Sequence, residues 1–318
     1  MIGIVGAGAF GTALGVALAS ESRDVVLWAR DATQVADMAS IRENKALPGV
    51  RLPPALHPAA ALEDLSAAQV VLLTLPMQAL HGFLDMYQSH FSHKILVACC
   101  KGIDLSALTG PSHVIARTCP SATPAVLTGP SFAADIARGL PTALTLACDD
   151  PQIGEMLQRA LSTPALRLYR TTDVTGAELG GALKNVIAIA CGVAIGAGLG
   201  ESARAALMAR GFAEMQRLAL ARGAQAETLM GLSGFGDLVL TCTSAQSRNF
   251  RHGLALGKGE APPAATVEGV ATAQAVARLA GQLGLEMPVT AQVAALVTGR
   301  QTVKNALESL LTRPLKEE

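Results

Sequence analysis

A glycine pattern, two lysines and a polar cluster are the parts of this sequence whose residue types and spacing could do chemistry. Gly6-Ala7-Gly8-Ala9-Phe10-Gly11 follows the apolar run Ile2–Val5 directly and opens a helical pattern over 10–19. In that strand–turn–helix setting Gly6 allows the tight turn, Gly8 lets a pyrophosphate approach the backbone, and Gly11 lets helix pack close to strand. The free N–H groups and positive end of the helix then suit phosphates, so the segment reads as a dinucleotide-binding turn. The second apolar run, Val25–Trp28, leads into Ala29-Arg30-Asp31. An acidic residue there holds a ribose 2′-hydroxyl, as NAD requires, whereas an arginine pairs with the 2′-phosphate of NADP. Arg30 stands nearer the expected position, which favours NADP(H) with some NAD(H) use. The plainer alternative is a pair of solvated charges at a helix start.

Lys101 follows the strand pattern Ile95–Ala98, and ligands of parallel sheets bind at such strand ends; an ordinary surface lysine fits the pattern equally. Thr128-Gly129-Pro130-Ser131 also follows a short strand. It is either a plain turn or one that aims N–H groups and the Ser131 hydroxyl at a ligand. Gly180-Gly181-Ala182-Leu183-Lys184-Asn185 places a lysine on an otherwise apolar helix. Buried lysines need a partner or a purpose. In a dry site the ammonium could polarise a carbonyl and protonate the alkoxide that forms; on a helix end it would only snorkel. Asp237 and Thr241 are four apart and share a face if helical. Ser247 could cap a helix whose first turn holds Arg248 and Asn249, an arrangement that makes an anion site.

The elements that must position these residues change character along the chain. In the first half, β-branched runs at Ile2–Val5, Val25–Trp28, Val70–Leu73, Ile95–Ala98 and 125–127 alternate with helical patterns. That alternation predicts an α/β Rossmann domain over 1–175 with a mostly parallel, doubly wound sheet. Strands at Thr142–Ala147 and 166–169 flank a helix at Pro151–Leu161. The prolines Pro48, Pro53, Pro54 and Pro58 predict a loop. From 176 to 318 only helical periods remain, at 175–198, 202–222, 224–229, 266–283 and 288–298, predicting an all-α second domain. Residues 257–263 are expected to form a surface loop. No long linker separates the halves, so a cleft between tightly joined domains is expected.

Composition excludes several functions. Of the 318 residues 50% are hydrophobic and 16% charged, as in a folded globular chain. The 25 basic and 25 acidic side chains cancel, which argues against nucleic acid as a partner. The six cysteines show no C-x-x-C spacing and read as buried thiols. Met1–Val5 already reads as the first strand, so a cytoplasmic protein without a signal peptide is expected. The apolar stretch 186–200 is short for a bilayer and flanked by Lys184 and Glu201, so no membrane insertion is expected. Its Gly192, Gly196 and Gly200 would allow close contact with another helix. His90 and His93 are too isolated to claim as a metal site, and no metal is expected.

Taken in order, these segments resemble bacterial NAD(P)-dependent glycerol-3-phosphate dehydrogenase along nearly the whole chain. The resemblance rests on Gly6–Gly11, Lys101-Gly102, Gly129-Pro130-Ser131-Phe132-Ala133 and Gly180–Ile189. Gly236–Cys242, Ser247-Arg248-Asn249 and Val267-Glu268-Gly269 complete it. It implies reduction of dihydroxyacetone phosphate to sn-glycerol 3-phosphate, for glycerophospholipid synthesis, by a homodimer. It further implies that Lys184 is the acid/base, with Lys101 and Asp237 beside it in catalysis. Gly129, Ser131, Ser247, Arg248 and Asn249 would line the substrate together with those three. Gly6, Gly8, Ala9, Phe10, Gly11, Arg30, Lys101, Ala133, Arg248, Thr266 and Glu268 would lie along the cofactor. Ala9 departs from the serine common at its position, and the surroundings of Thr266 differ from the family's usual Val-Val-Glu-Gly. The rival is a two-domain reductase of β-hydroxyacids or 2-ketoacids, whose carboxylate substrates would not call for the Asp237–Asn249 cluster. A catalytically dead NADPH sensor would have lost Lys184.

Overall fold

The computed structural model describes residues 1–311. Two compact units emerge: Met1–Lys101 with Thr109–Glu178, and Gly102–Leu108 with the chain from Leu179 onward. The short excursion at Gly102–Leu108 is marked by no change in composition.

The first unit is built on ten strands: β1 (Ile2–Val5), β2 (Val25–Trp28), β3 (Glu43–Asn44), β4 (Leu47–Arg51), β5 (Leu56–Ala59), β6 (Val70–Leu73), β7 (Ile95–Ala98), β8 (Thr123–Thr128), β9 (Thr142–Ala147) and β10 (Leu166–Thr171). Eight form one sheet in the order β10-β9-β8-β7-β6-β1-β2-β5. Every pairing in it is parallel except β8 with β9. Its helices are α1 (Ala9–Ala19), α2 (Ala32–Ile41), α3 (Met77–Tyr87), α4 (Pro111–Thr118), α5 (Ala133–Ala137) and α6 (Pro151–Leu161). The four strands β1, β2, β6 and β7 are buried at every position, as strands covered on both faces must be. Alternate residues feed two cores. Ile4, Leu27, Leu72 and Val97 pack with Leu14 of α1 and Leu157 of α6, while Val26, Val71 and Leu96 pack with Leu80 of α3 and Ile115 of α4. This is the doubly wound arrangement expected of the Rossmann domain.

The proline-rich stretch is the expected loop only in part: Pro53 and Pro54 lie between β4 and β5, but Pro48 and Pro58 do not. It holds β4, which contains Pro48 and pairs antiparallel with β3, and β5, which contains Pro58 and pairs only with β2. A proline lacks the N–H that a central strand must donate, but an edge strand can spare it.

The second unit carries α7 (Val174–Gly196, whose first five residues group with the first unit), α8 (Gly200–Ala221), α9 (Ala226–Met230), a π-turn at Leu232–Gly236, α10 (Asp237–Thr243), α11 (Arg248–Lys258), α12 (Glu268–Leu283), α13 (Pro288–Val297) and α14 (Val303–Leu311). No strand occurs among its described residues. The helix at the expected 266–283 begins at Glu268, because Val267 is its N-cap. Gly257 and Lys258, expected in a surface loop, close α11 instead, with Gly259 as its left-handed cap (φ +74°).

Helix α7 is long and apolar enough to cross a membrane by length and composition alone, yet 89% of its most apolar 18-residue window is buried inside the protein. It is a core helix. Its glycines explain how it packs. A Cβ on Gly192 or Gly196 would overlap backbone atoms of α11, and one on Gly253 or Gly257 would overlap the Ile189 and Val193 carbonyl oxygens of α7. The two backbones therefore touch along two turns. Gly200 takes no part: it opens α8 at φ +80°, with open space where a Cβ would stand.

Neither backbone can yield at that crossing, so Gly253→Ala should cost about 1–3 kcal/mol of stability. Gly281→Ala, in α12 where a Cβ meets nothing, should gain about 0.5–1 kcal/mol. Thermal and urea unfolding check both, and a Gly253→Ala protein as stable as its parent would remove the close contact.

Candidate active site

The glycine turn lies where the sheet order reverses. From β1 the chain proceeds to β2 and β5 on one side, then returns to β6 on the other. Ligands of doubly wound sheets bind at that switch point. Gly6 has φ +109°, and a Cβ on Gly11 would overlap Gly6 O, so both glycines are demanded by the fold. Gly8 is different. It caps α1 with ordinary extended angles (φ −76°, ψ 179°), and a Cβ there would meet nothing within 4 Å. The protein itself gives no steric reason for a glycine at this position. A ligand pressed against the backbone does, and the N–H groups at the start of α1 suit its phosphates. The turn therefore fits a dinucleotide. Ala9 and Phe10 open α1 and Ala133 opens α5, and all three pack on the same core cluster.

At the end of β2 the structure separates two residues that sequence left together. Asp31 caps α2, its Oδ1 accepting from Thr33 N at 2.9 Å. Arg30 is exposed and forms no ion pair among the described residues. The carboxylate is committed to the helix; the guanidinium is the group available to a cofactor.

Beyond β7 and β8, the half-buried Lys101 donates from Nζ to Gly129 O at 2.8 Å, and Ser131 Oγ donates to the same oxygen at 3.2 Å. Gly129 holds φ +133° against Leu144. Lys101 and the Gly129–Ser131 segment, suggested separately, thus form one cluster in the first unit.

The second unit gathers its residues from four helices. Lys184 of α7 is buried, and its Nζ donates to Asp237 Oδ1 at 2.8 Å and Thr241 Oγ1 at 2.5 Å. Thr241 Oγ1 in turn donates to Asp237 Oδ1 at 3.2 Å. Asp237 and Thr241 are one turn apart on α10, so a single helix face presents both to the lysine. Gly180 makes the approach possible: a Cβ there would lie 2.7 Å from Ser233 O in the π-turn leading into Asp237. Burial pushes the Cys242 thiol well above its ordinary pKa, and the neighbouring Cys191 adds to the shift. The thiol beside the ion pair is therefore a neutral wall. One residue along α7, Asn185 Oδ1 accepts from Asn249 Nδ2 at 2.8 Å, and Asn249 Oδ1 accepts from Gly269 N at 2.9 Å. These bonds tie α7, α11 and the start of α12 together.

Ser247 caps α11, accepting from Phe250 N at 3.1 Å. Arg248 stands exposed at the first helical position with Asn249 beside it, and Glu268 opens α12 half-buried. Thr266 lies in the exposed segment ahead of α12. Both ends of the Asn249 amide are occupied by protein partners, so the side chain that sequence offers to a ligand is also a brace.

Some residues of these clusters carry no sequence signal. Thr74 Oγ1 lies 2.9 and 2.8 Å from Val5 O and Gly6 O, and Asn44 and Gln34 reach the turn from 37 and 27 residues away. Nothing in their own neighbourhoods marks them, because their partners are backbone oxygens.

A Rossmann unit with an open dinucleotide turn, followed by a helical unit holding a buried lysine–aspartate pair, defines a nicotinamide-dependent oxidoreductase. The family described as NAD-dependent glycerol-3-phosphate dehydrogenase matches by its N-terminal part over residues 1–154 and by its C-terminal part over 173–308. A glycerol-3-phosphate dehydrogenase [NAD(P)+] of Paracoccus denitrificans is 64% identical over 100% of this chain and 99% of its own; one from Ruegeria is 60% identical with the same coverage. The solved glycerol-3-phosphate dehydrogenase of Coxiella burnetii superposes with a TM-score of 0.94 at 36% identity, covering 98% of each chain. The chain belongs to the NAD-dependent glycerol-3-phosphate dehydrogenase family.

Removing one partner of a buried pair leaves an uncompensated charge. Asp237→Ala should therefore lower stability by about 3–5 kcal/mol, read as a shift in the urea midpoint. A shift below about 1 kcal/mol would mean that Lys184 finds water when Asp237 is gone.

Proposed function

We propose that the chain reduces dihydroxyacetone phosphate to sn-glycerol 3-phosphate, reversibly, with Lys184 as the general acid. The observation that carries this is the buried Lys184–Asp237–Thr241 array on a chain that also presents an open dinucleotide turn. The bound dihydronicotinamide supplies the hydride. The protein residues do the rest. As the carbonyl oxygen gains charge, Lys184 gives it a proton; in the reverse direction the neutral amine takes one back. Asp237 holds the lysine charged and in place, and Thr241 fixes its direction. Lys101 offsets developing negative charge and Gly129 and Ser131 shape the substrate contacts. Ser247, Arg248 and Asn249 at the start of α11 take the phosphate, where side-chain donors add to free N–H groups.

Gly6, Gly8, Ala9, Phe10 and Gly11 hold the pyrophosphate side of the cofactor, with Ala133, Lys101, Arg248, Thr266 and Glu268 along it. Arg30 receives the 2′-phosphate, and commitment of Asp31 to the α2 cap supports a preference for NADPH over NADH. The working form is a cytoplasmic homodimer that supplies glycerophospholipid synthesis; light scattering that reads one chain mass would remove the dimer.

The purified protein should oxidise NADPH with dihydroxyacetone phosphate and leave unphosphorylated dihydroxyacetone and 2-ketoacids untouched. Turnover of ketoacids alone would transfer the chain to the rival reductase class. Lys184→Met should lower kcat by about 10²–10⁴-fold, the usual span for a lost acid/base, while NADPH binding persists. Arg248→Ala should raise KM for dihydroxyacetone phosphate by about 10–100-fold, as loss of a charged hydrogen bond implies. An unchanged KM would move the phosphate elsewhere.

A further inference from the structure

The small β3–β4 hairpin delivers one buried side chain, Asn44, to the dinucleotide turn. Asn44 is 1% exposed and all four hydrogen-bonding positions of its amide are used. Nδ2 donates to Ala7 O at 3.0 Å and to Thr12 Oγ1 at 2.7 Å. Oδ1 accepts from Ala46 N and from Gln34 Nε2, each at 3.0 Å. Gln34, in the first turn of α2, donates from the same Nε2 to Ala7 O at 2.9 Å. Two side chains from distant segments therefore converge on one carbonyl oxygen in the middle of the glycine motif.

The geometry of the peptide unit gives this convergence a consequence. No cis peptide occurs among the described residues. In a trans unit the Ala7 C=O and the Gly8 N–H point in opposite directions. Anchoring the oxygen towards Asn44 and Gln34 turns the Gly8 N–H away from them. That N–H has no partner among the described residues, and the space at Gly8 is open. Without the anchor, the plane could rotate and present a carbonyl oxygen, a partial negative charge, where an anion must approach. An apolar side chain at residue 44 would leave Thr12 Oγ1 and Ala46 N without these bonds and Ala7 O with Gln34 alone. The amide therefore supports the fold as well as the peptide plane, and binding and stability must be read separately.

We propose that Asn44 and Gln34 are positioning residues for the cofactor, orienting the Ala7–Gly8 peptide so that its N–H faces the pyrophosphate. The proposal rests on the dinucleotide reading above. Gln34 also lies three residues after Asp31, so the clamp joins the turn to the loop that carries Arg30.

NADPH fluorescence titration of the wild type, Asn44→Ala and Gln34→Met tests it, alongside thermal unfolding and KM for dihydroxyacetone phosphate at saturating NADPH. The Kd for NADPH should rise about tenfold in Asn44→Ala and about threefold in Gln34→Met, as expected for hydrogen-bond energies of this size. KM for dihydroxyacetone phosphate should stay within about twofold by the same scale. A folded variant that unfolds at lower temperature but binds NADPH as tightly as wild type would overturn the proposal, because that is what a filler role gives. Should Asn44→Ala not fold, the half-buried Gln34→Met decides alone. Wild-type protein that binds neither NADPH nor NADH overturns both this proposal and the reading beneath it; wild-type binding with unmoved variants overturns the proposal only.

Discussion

An ammonium and a carboxylate 2.8 Å apart in the apolar interior of the helical unit impose the constraint to which much of that unit answers. Taking each ion out of water costs several kcal/mol, and only close geometry with further hydrogen bonds offsets it. The surroundings meet both conditions. Thr241 binds the pair from the same face of α10 as Asp237, and neutral Cys242 keeps a third charge away. The glycine at 180 lets the π-turn before α10 come within backbone contact of α7. Helix α7 can then lie buried over most of its length, because Lys184 and Asn185 both have their partners supplied.

The first unit solves a different problem, that of receiving an anion with backbone rather than with charge. Its sheet reverses order at β1, so the end of that strand opens on ground that no crossover covers. Two of the three glycines there are required by the protein's own atoms. The third, Gly8, has open space where a Cβ would stand. With Asp31 committed to a helix cap, Arg30 is the charge at the end of β2 that forms no ion pair among the described residues. Two units with separate cores carry the two features, one the glycine turn and the other the buried Lys184–Asp237 pair.

The local elements were largely legible in the sequence because their signals are local. Seven of the eight strands of the sheet, all but β5, together with the α6 helix and the long helices of the second unit, follow from β-branched runs and helical periods. The proline-rich stretch was legible only at Pro53 and Pro54: proline density signals a loop, and only sheet position shows that Pro58 sits on an edge that tolerates it. The reversal between β8 and β9 was equally hidden, since alternation of burial carries no strand direction. At the candidate site, the residues with chemistry of their own stood out, as Lys184, Asp237 and Arg248 did. Those that act by holding backbone oxygens, such as Asn44 and Thr74, did not.

By itself, then, the sequence determined the fold class, the dinucleotide turn, the ordered set of motifs that marks the family, and which charged side chains lie in unusual surroundings. These depend on residue type and short spacing, which are written directly in the chain. Tertiary structure alone decided that Lys184 pairs with Asp237, that Asp31 is spent on a cap while Arg30 is not, that Asn249 braces α7 and α12, and that Asn44 grips the turn. Each of these is a choice among partners far apart in sequence. Distance and direction settle such choices, and neither exists until the chain has folded.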